Sequence, residues 1–439
     1  NRIGIMVLTN SLKGFIKKVS INYKKYMEVS MKGNVIVGQS GGPTSVINSS
    51  LAGVFKMAKA RGYNKVYGMR NGILGLLDER YVDLSEYLQN DLDIEILRRT
   101  PGAFLGTCRF KLPNIDADKE LYEKVFAILD KLNIECFIYI GGNDSMDTIN
   151  KLAKYAAANG KKQRFVGCPK TIDNDLVLND HTPGFGSAAK YIATSVKEII
   201  IDSLGMSYKK KNIVIVEIMG RNAGWLTAAS ALSKGEDCEG PDMIYLPETV
   251  FDMDKFNAKV EKLLSQKDIV VVAISEGIKL ADGRYVTELG NDNAYVDAFG
   301  HKQLTGTATY LANTLAAKFG CKTRAVEFST LQRSAAHMAS KVDMDEAMMV
   351  GEAAIKIADE GSTGMMVAIE RVSNEPYQST YAIHEIDKVA NGERTIPREW
   401  INEEGDYVTE EFIKYAKPLI EGEFYPYIVN GIPRHLVIK

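Results

Sequence analysis

The sequence is short of cysteine, of net charge and of long apolar runs, and each shortage argues against a class of function. Only five cysteines occur in 439 residues (Cys108, Cys136, Cys168, Cys238 and Cys321), an odd total with no C-x-x-C pair. That pattern fits reduced thiols in a cytosolic protein rather than a disulfide framework or a zinc site, with Cys136 and Cys168 as small buried hydrophobes. The formal net charge is −2, so no long-range field draws nucleic acid or a membrane surface. No stretch approaches the ~20 apolar residues that span a bilayer. The dinucleotide fingerprint G-x-G-x-x-G and the lysine-bearing phosphate loop are also missing from the glycine turns, which speaks against a nucleotide-binding Rossmann protein. What is present is an ordinary globular composition, 45% hydrophobic and 25% charged, in a chain longer than one core usually supports. Small-molecule chemistry is the expectation, carried by two domains or one large α/β unit.

Residues 1–31 are basic apart from Glu28 and show no A-x-A-like cleavage site before the folded pattern. They read as an extension or upstream read-through, with the core fold beginning near Met31. From there strands and helices alternate. Strands are expected at 34–37, 65–69, 136–140 and 165–168, and helices at 45–61, 120–132 and 147–159. After Pro183-Gly184-Phe185-Gly186 a second series follows, with a helix at 187–203, strands at 212–218, 243–246, 268–275 and 325–328, and helices at 225–233 and from Asp254. Strands separated by helices imply right-handed crossovers and largely parallel sheets, with ligands at the strands' carboxyl ends. The expected fold is α/β, with two Rossmann-like three-layer domains facing a cleft and a C-terminal extension. The first domain covers 32–184 with a return segment after about 334, the second covers 185–333, and the charged, aromatic stretch 374–439 packs on the body or on a partner subunit.

Two glycine turns end strands of the first sheet, Gly38-Gln39-Ser40-Gly41-Gly42-Pro43 and Gly141-Gly142-Asn143-Asp144-Ser145. Each precedes a helix, so backbone N–H groups converge where an anion could sit. Either turn alone is equally compatible with a tight connection. Pro169-Lys170-Thr171-Ile172-Asp173-Asn174-Asp175 is more specific. A lysine, a hydroxyl and two carboxylates at a strand's end are the parts of phosphoryl transfer: a cation, a base and a metal-facing acid. A solvated acidic turn is the plainer alternative. His181, close to a turn, reads as structural.

At this point the residues resemble the phosphofructokinase family, and within it the pyrophosphate-dependent type. The likeness runs from about residue 33 through Arg333 and extends into the tail. It rests on seven ordered motifs: Gly41-Gly42-Pro43-Thr44, residues 102–109, residues 141–145, residues 169–175, Met219-Gly220-Arg221, Ser275-Glu276-Gly277 and Thr330-Leu331-Gln332-Arg333. The resemblance implies that Asp173 takes the proton of the 1-hydroxyl of fructose 6-phosphate, with Lys170, Asp144 and Arg221 as its catalytic companions. It places the sugar phosphate on Thr171, Ile172, Met219, Gly220, Arg221, Glu276, Arg324, Thr330, Leu331, Gln332 and Arg333, the guanidiniums gripping the 6-phosphate. Pyrophosphate is assigned to Gly41, Gly42, Arg109, Gly142 and Lys170, and Mg²⁺ to Asn143 and Asp175.

Donor choice turns on two positions. ATP-using members have glycine where this chain has Asp144 and again where it has Lys170. A carboxylate there would repel the α-phosphate of ATP, whereas pyrophosphate is short enough to avoid it. The chain also departs from the family: Asn143 stands for a magnesium-binding aspartate, Asn212 for an arginine reaching in from a neighbouring subunit, which leaves Lys211 to supply charge, and Thr330 for a histidine. The implied reaction is reversible transfer from pyrophosphate to fructose 6-phosphate, a glycolytic and gluconeogenic step, in a cytoplasmic homodimer or larger homo-oligomer that binds neither nucleic acid nor membrane. The alternatives are an ATP-dependent enzyme with Asp144 turned aside, and a non-catalytic subunit that binds sugar phosphates.

Overall fold

The computed structural model describes residues 32–206, 208–290 and 304–438; the expected extension 1–31 lies outside them. A seven-stranded sheet is built from β1 (Asn34–Gln39), β2 (Val66–Met69), β3 (Tyr81–Asp83), β4 (Ile134–Gly141), β5 (Arg164–Pro169), β10 (Met365–Asn374) and β11 (Tyr377–Glu385), in the order β11-β10-β5-β4-β1-β2-β3. Its five inner strands are parallel, and β3 and β11 run antiparallel at the two edges. The inner strands read as continuous apolar runs because both faces are covered. Val35, Val37, Ile138, Ile140, Val166 and Val367 fill the core on one face. Their neighbours Ile36, Phe137, Tyr139, Phe165, Met366 and Ala368 fill the other, following the period of two along a strand.

Between β5 and β10 the chain builds a second sheet from β6 (Asn212–Ile218), β7 (Met243–Tyr245), β8 (Ile269–Ser275) and β9 (Lys322–Glu327). The order is β7-β8-β6-β9 and all three pairings are parallel. Here too the alternation divides two cores, with Val214, Val216, Ile218 and Val271 on one face and Ile213, Ile215, Val270 and Val272 on the other. Local signals set the connecting helices: the Asp118 side chain caps Lys119–Lys131 by accepting from Leu121 N at 3.1 Å, and Asp252 caps Met253–Gln266, which satisfies N–H groups with no intrahelical partner.

The structure revises several boundaries. The helix expected at 147–159 spans Asn143–Ala158, so Asn143 and Asp144 belong to its first turn rather than to the loop before it. The strand expected at 325–328 lies at Lys322–Glu327. β3, β10 and β11 were not anticipated; β3 and β11 are half-buried edge strands and lack the unbroken apolar run that marks an inner strand. Part of the C-terminal stretch is therefore sheet. The rest packs on the body, where Trp400, Phe412 and Tyr415 gather around Trp225 with ring centroids 5.4–6.4 Å from it.

Candidate active site

The carboxyl ends of β1, β4 and β5 lie side by side, and the donor-side groups hang from them. Gln39, the last residue of β1, is fully buried and accepts from Leu105 N at 2.9 Å while donating to Asn48 Oδ1 at 2.9 Å. Asn48 donates to Thr100 O and Gly102 O. This lock holds the 100–106 loop beside the Gly41-Gly42 turn, and no sequence pattern announced it. At the end of β4 glycine is obligatory: a Cβ on Gly141 would lie 2.0 Å from Ser145 Oγ. The helix Asn143–Ala158 then begins with Gly142 as its N-cap and no capping side chain, so its positive end faces the turn. Asp144 is exposed there.

Lys170, just past β5, ties the three strand ends together. It is 3% exposed, its N–H donates to Gly141 O at 3.0 Å, and its Nζ donates to Gly42 O at 2.6 Å. Burial lowers its pKa to about 8 in spite of the opposing pull of Asp173 and Asp175, because a desolvated ammonium is disfavoured. It remains mostly charged at pH 7. Burial likewise pushes Asp173 above the usual carboxylate range, against the pull of Lys170, the Thr171 hydroxyl, Arg221 and Arg333. Thr171 Oγ1 accepts from Asp173 N at 3.1 Å. Asp175 is raised to about 7 by burial and then by Asp173.

The second sheet supplies the facing groups. After β6 the 219–224 turn is held from two sides, Met219 N donating to Gln332 Oε1 at 3.2 Å and Gly220 N to Glu276 Oε1 at 3.4 Å. Ser275 Oγ donates to Gly220 O. Glu276 is raised to about 8, chiefly by burial, so near neutral pH it carries a proton and can donate as well as accept. Arg333 reaches across to the donor side: a Cβ on Gly42 would come within 3.3 Å of its Nη1. Arg109 is near enough that its charge, after burial, depresses Arg333.

Gly42, Arg109, Lys170, Thr171, Asp173, Asp175, Arg221, Glu276 and Arg333 thus form one cluster of mutually interacting groups, with Gly41 and Gly142 in its backbone walls and Met219, Gly220 and Gln332 supporting it. Other predicted residues stand apart. Arg324 is exposed on the edge strand β9, with Met206 Sδ 4.0 Å from its guanidinium. Leu331 is 59% exposed, and Thr330 precedes a one-turn helix without capping it. Lys211 pairs with Asp268 at 3.1 Å beside the amino end of β6, whereas the cluster gathers at the carboxyl ends. His181 is buried between Asp180 and Glu346, at 2.7 and 2.6 Å.

The metal assignment has one independent observation behind it. The Asn143 side-chain oxygen is buried and has no hydrogen-bond partner, an uncommon state for a polar atom. Among the described residues no group of three or more His, Cys, Asp or Glu is placed to hold a metal. Mg²⁺ needs no such group, since it keeps waters and substrate phosphates and takes only one or two protein oxygens. Asn143 and Asp175 offer hard oxygen donors of that kind.

Comparison with known proteins agrees with this architecture. The family model described as Phosphofructokinase matches residues 34–328. The chain is 41% identical over 408 residues to the pyrophosphate–fructose 6-phosphate 1-phosphotransferase of Xanthomonas campestris pv. campestris (strain B100), covering 93% of this chain and 96% of that one. It is 39% identical over 403 residues to the protein of the same name from Halomonas elongata, covering 91% and 95%. Among solved structures, the pyrophosphate-dependent phosphofructokinase from Nitrosospira multiformis superposes with a TM-score of 0.83 at 36% identity, over 92% of this chain and 96% of that one.

Proposed function

The chain belongs to the phosphofructokinase family, and from that premise we propose that it transfers a phosphoryl group reversibly between pyrophosphate and the 1-hydroxyl of fructose 6-phosphate, giving fructose 1,6-bisphosphate and phosphate. The observation that carries the reading is Lys170, a buried cation fastened between two glycine turns and facing Asp173. Pyrophosphate is recognised by the backbone N–H groups of Gly41, Gly42 and Gly142, with Lys170 and Arg109 countering its charge. The sugar phosphate lies on the opposite wall, its hydroxyls on Glu276 and the 219–221 turn and its 6-phosphate on Arg333.

Asp173 accepts the proton of the attacking hydroxyl as the bond to phosphorus forms. Burial raises its proton affinity above that of an ordinary carboxylate, against the pull of Lys170, Arg221 and Arg333, which suits a group that must take up a proton. Lys170 then stabilises charge on the phosphoryl group in flight and on the leaving phosphate. Asn143 and Asp175 would hold Mg²⁺, which would neutralise charge on the phosphoryl oxygens. Because pyrophosphate and a phosphate monoester have similar transfer potential, the reaction runs both ways on the same residues, in glycolysis and in gluconeogenesis.

The exposed placement of Arg324 on β9 supports a homo-oligomer in which that arginine completes a neighbour's sugar-phosphate site. No described helix is long and apolar enough to cross a membrane, and we place the reaction in the cytoplasm, where cell fractionation would find it.

Steady-state assays with each donor test the reaction. Fructose 1,6-bisphosphate is expected from pyrophosphate and Mg²⁺, not when the divalent cation is chelated, and with ATP at no more than about a hundredth of that efficiency. Efficient turnover with ATP and none with pyrophosphate would sink the assignment.

A further inference from the structure

The stretch that carries Asp173 and Asp175 is held from behind by the far end of the chain. Asn174, between the two carboxylates, is 0% exposed and takes a left-handed φ of 56°. That conformation is uncommon outside glycine, though asparagine takes it more readily than most, and it is kept where the surroundings fix it. Here they do. The Asn174 side-chain oxygen accepts from Thr182 N at 2.9 Å, and its amide donates to the Tyr415 hydroxyl at 2.9 Å. The hydroxyl donates to Asp180 O at 2.7 Å and also accepts from Arg394 Nη2 at 3.1 Å.

Arg394 continues the chain of contacts in two directions. Its main-chain N–H donates to Asp175 O at 2.8 Å. Its guanidinium lies 4.3 Å from the centroid of the Trp225 ring, whose indole N–H donates to Arg394 O at 3.1 Å. Two residues on, Ile396 N donates to Glu248 Oε1 at 3.0 Å, and the same oxygen accepts from Gly224 N at 2.8 Å. The 394–396 segment is therefore bonded to the Asp173–Asp175 loop at one end and linked through the Glu248 carboxylate to the sugar-side 219–224 turn at the other. Those two elements come from different sheets, and the tail bridges them.

Resting on the reaction assigned above, we propose that Asn174, Tyr415 and the 394–396 segment are a positioning brace that keeps the Asp173 carboxylate in register with the 219–224 turn, so that phosphoryl transfer depends on the C-terminal segment. A base must lie within hydrogen-bond reach of the proton it takes, and small misplacements in such a site lower the rate steeply while leaving binding intact.

Tyr415→Phe is the test. The ring keeps its packing among Trp225, Trp400 and Phe412, and only the hydroxyl that orders Asn174 is lost. The expected result is a kcat lower by about 10-fold with KM for both substrates within about 3-fold. In an Asp173→Asn background the same substitution should change the residual rate less than about 2-fold, because no oriented base remains to be misplaced. A purely structural role would instead lower thermal stability and act equally in both backgrounds. Asn174→Gly carries the same test should Tyr415→Phe fold poorly, since glycine accepts the left-handed φ and removes both anchors. Wild-type turnover in the same assay separates the two ideas. An active wild type with unaffected kcat in folded Tyr415→Phe overturns the brace alone; a wild type inactive with pyrophosphate overturns the assigned reaction and the brace with it.

Discussion

The two walls of the proposed site offer different groups to a phosphate. The donor wall is mostly backbone: the glycine turns after β1 and β4, the first turn of Asn143–Ala158, and one buried cation locked to Gly42 O. The acceptor wall is mostly side chain: Arg221 and Glu276 in the loops after β6 and β8, and Gln332 and Arg333 in the short helix after β9, with Arg324 apart from them on an exposed edge strand. Pyrophosphate is small and nearly featureless, so a rigid cradle of N–H groups suffices for it. A sugar phosphate needs its hydroxyls discriminated, which calls for donors and acceptors of defined direction. On the proposed assignment the donor wall would draw on one chain, whereas the acceptor wall, through the exposed Arg324, would draw on a neighbour as well.

Removing the cation strikes the donor wall hardest. Lys170→Met should lower kcat with pyrophosphate by about 10²–10³-fold; more than a tenth of wild-type turnover would break the contrast. The folded value of Lys170, about 8, lies below the usual 10.5. Between those values the unfolded chain holds a proton that the folded chain has released, so this group makes stability rise with pH across that window. The variant lacks that rise, and at pH 7 it should be more stable than wild type by about 1–2 kcal/mol. Thermal unfolding at pH 7 and pH 9.5 reads both effects.

The open edge of the acceptor wall is tested by mixing. Arg324→Ala and Asp173→Ala subunits, each nearly inactive alone, should regain roughly a quarter of wild-type activity when co-expressed, as expected if each site draws on two subunits of a dimer. Mixed oligomers that stay inactive would show that the acceptor wall is closed within one chain as well. The smallest effect belongs to Asp144. It is exposed, so its repulsion of a longer donor is screened, and Asp144→Gly should improve KM for ATP by only about 3- to 10-fold. An unchanged KM would show that this carboxylate does not guard the donor wall.

Much of this was legible in the sequence because inner parallel strands are apolar on both faces and glycine turns end them; the runs at 136–140 and 268–275 declare β4 and β8 directly. The Lys170, Asp173 and Asp175 constellation was legible for the same reason, lying in one short stretch after a strand. What stayed hidden depends on partners far away in the chain. Asn174 looks like filler between two acids until Tyr415 is seen to hold it, and Gln39 looks like a polar end to β1 until Leu105 and Asn48 fill both ends of its amide. The burial of Lys170 could not be read from its neighbours either, since Gly42 is remote in sequence. Edge strands such as β3 and β11 carry too few apolar residues to announce themselves.

The pairing of β10 with β5 has a consequence during synthesis. Met365 and Met366 bond beside Val166 and Gly167, so the ribosome must add roughly 200 residues before β5 acquires its second neighbour. At the usual pace of translation that leaves an apolar strand edge open for about 10–40 s. Until β10 emerges, that edge is open to pairing with another chain.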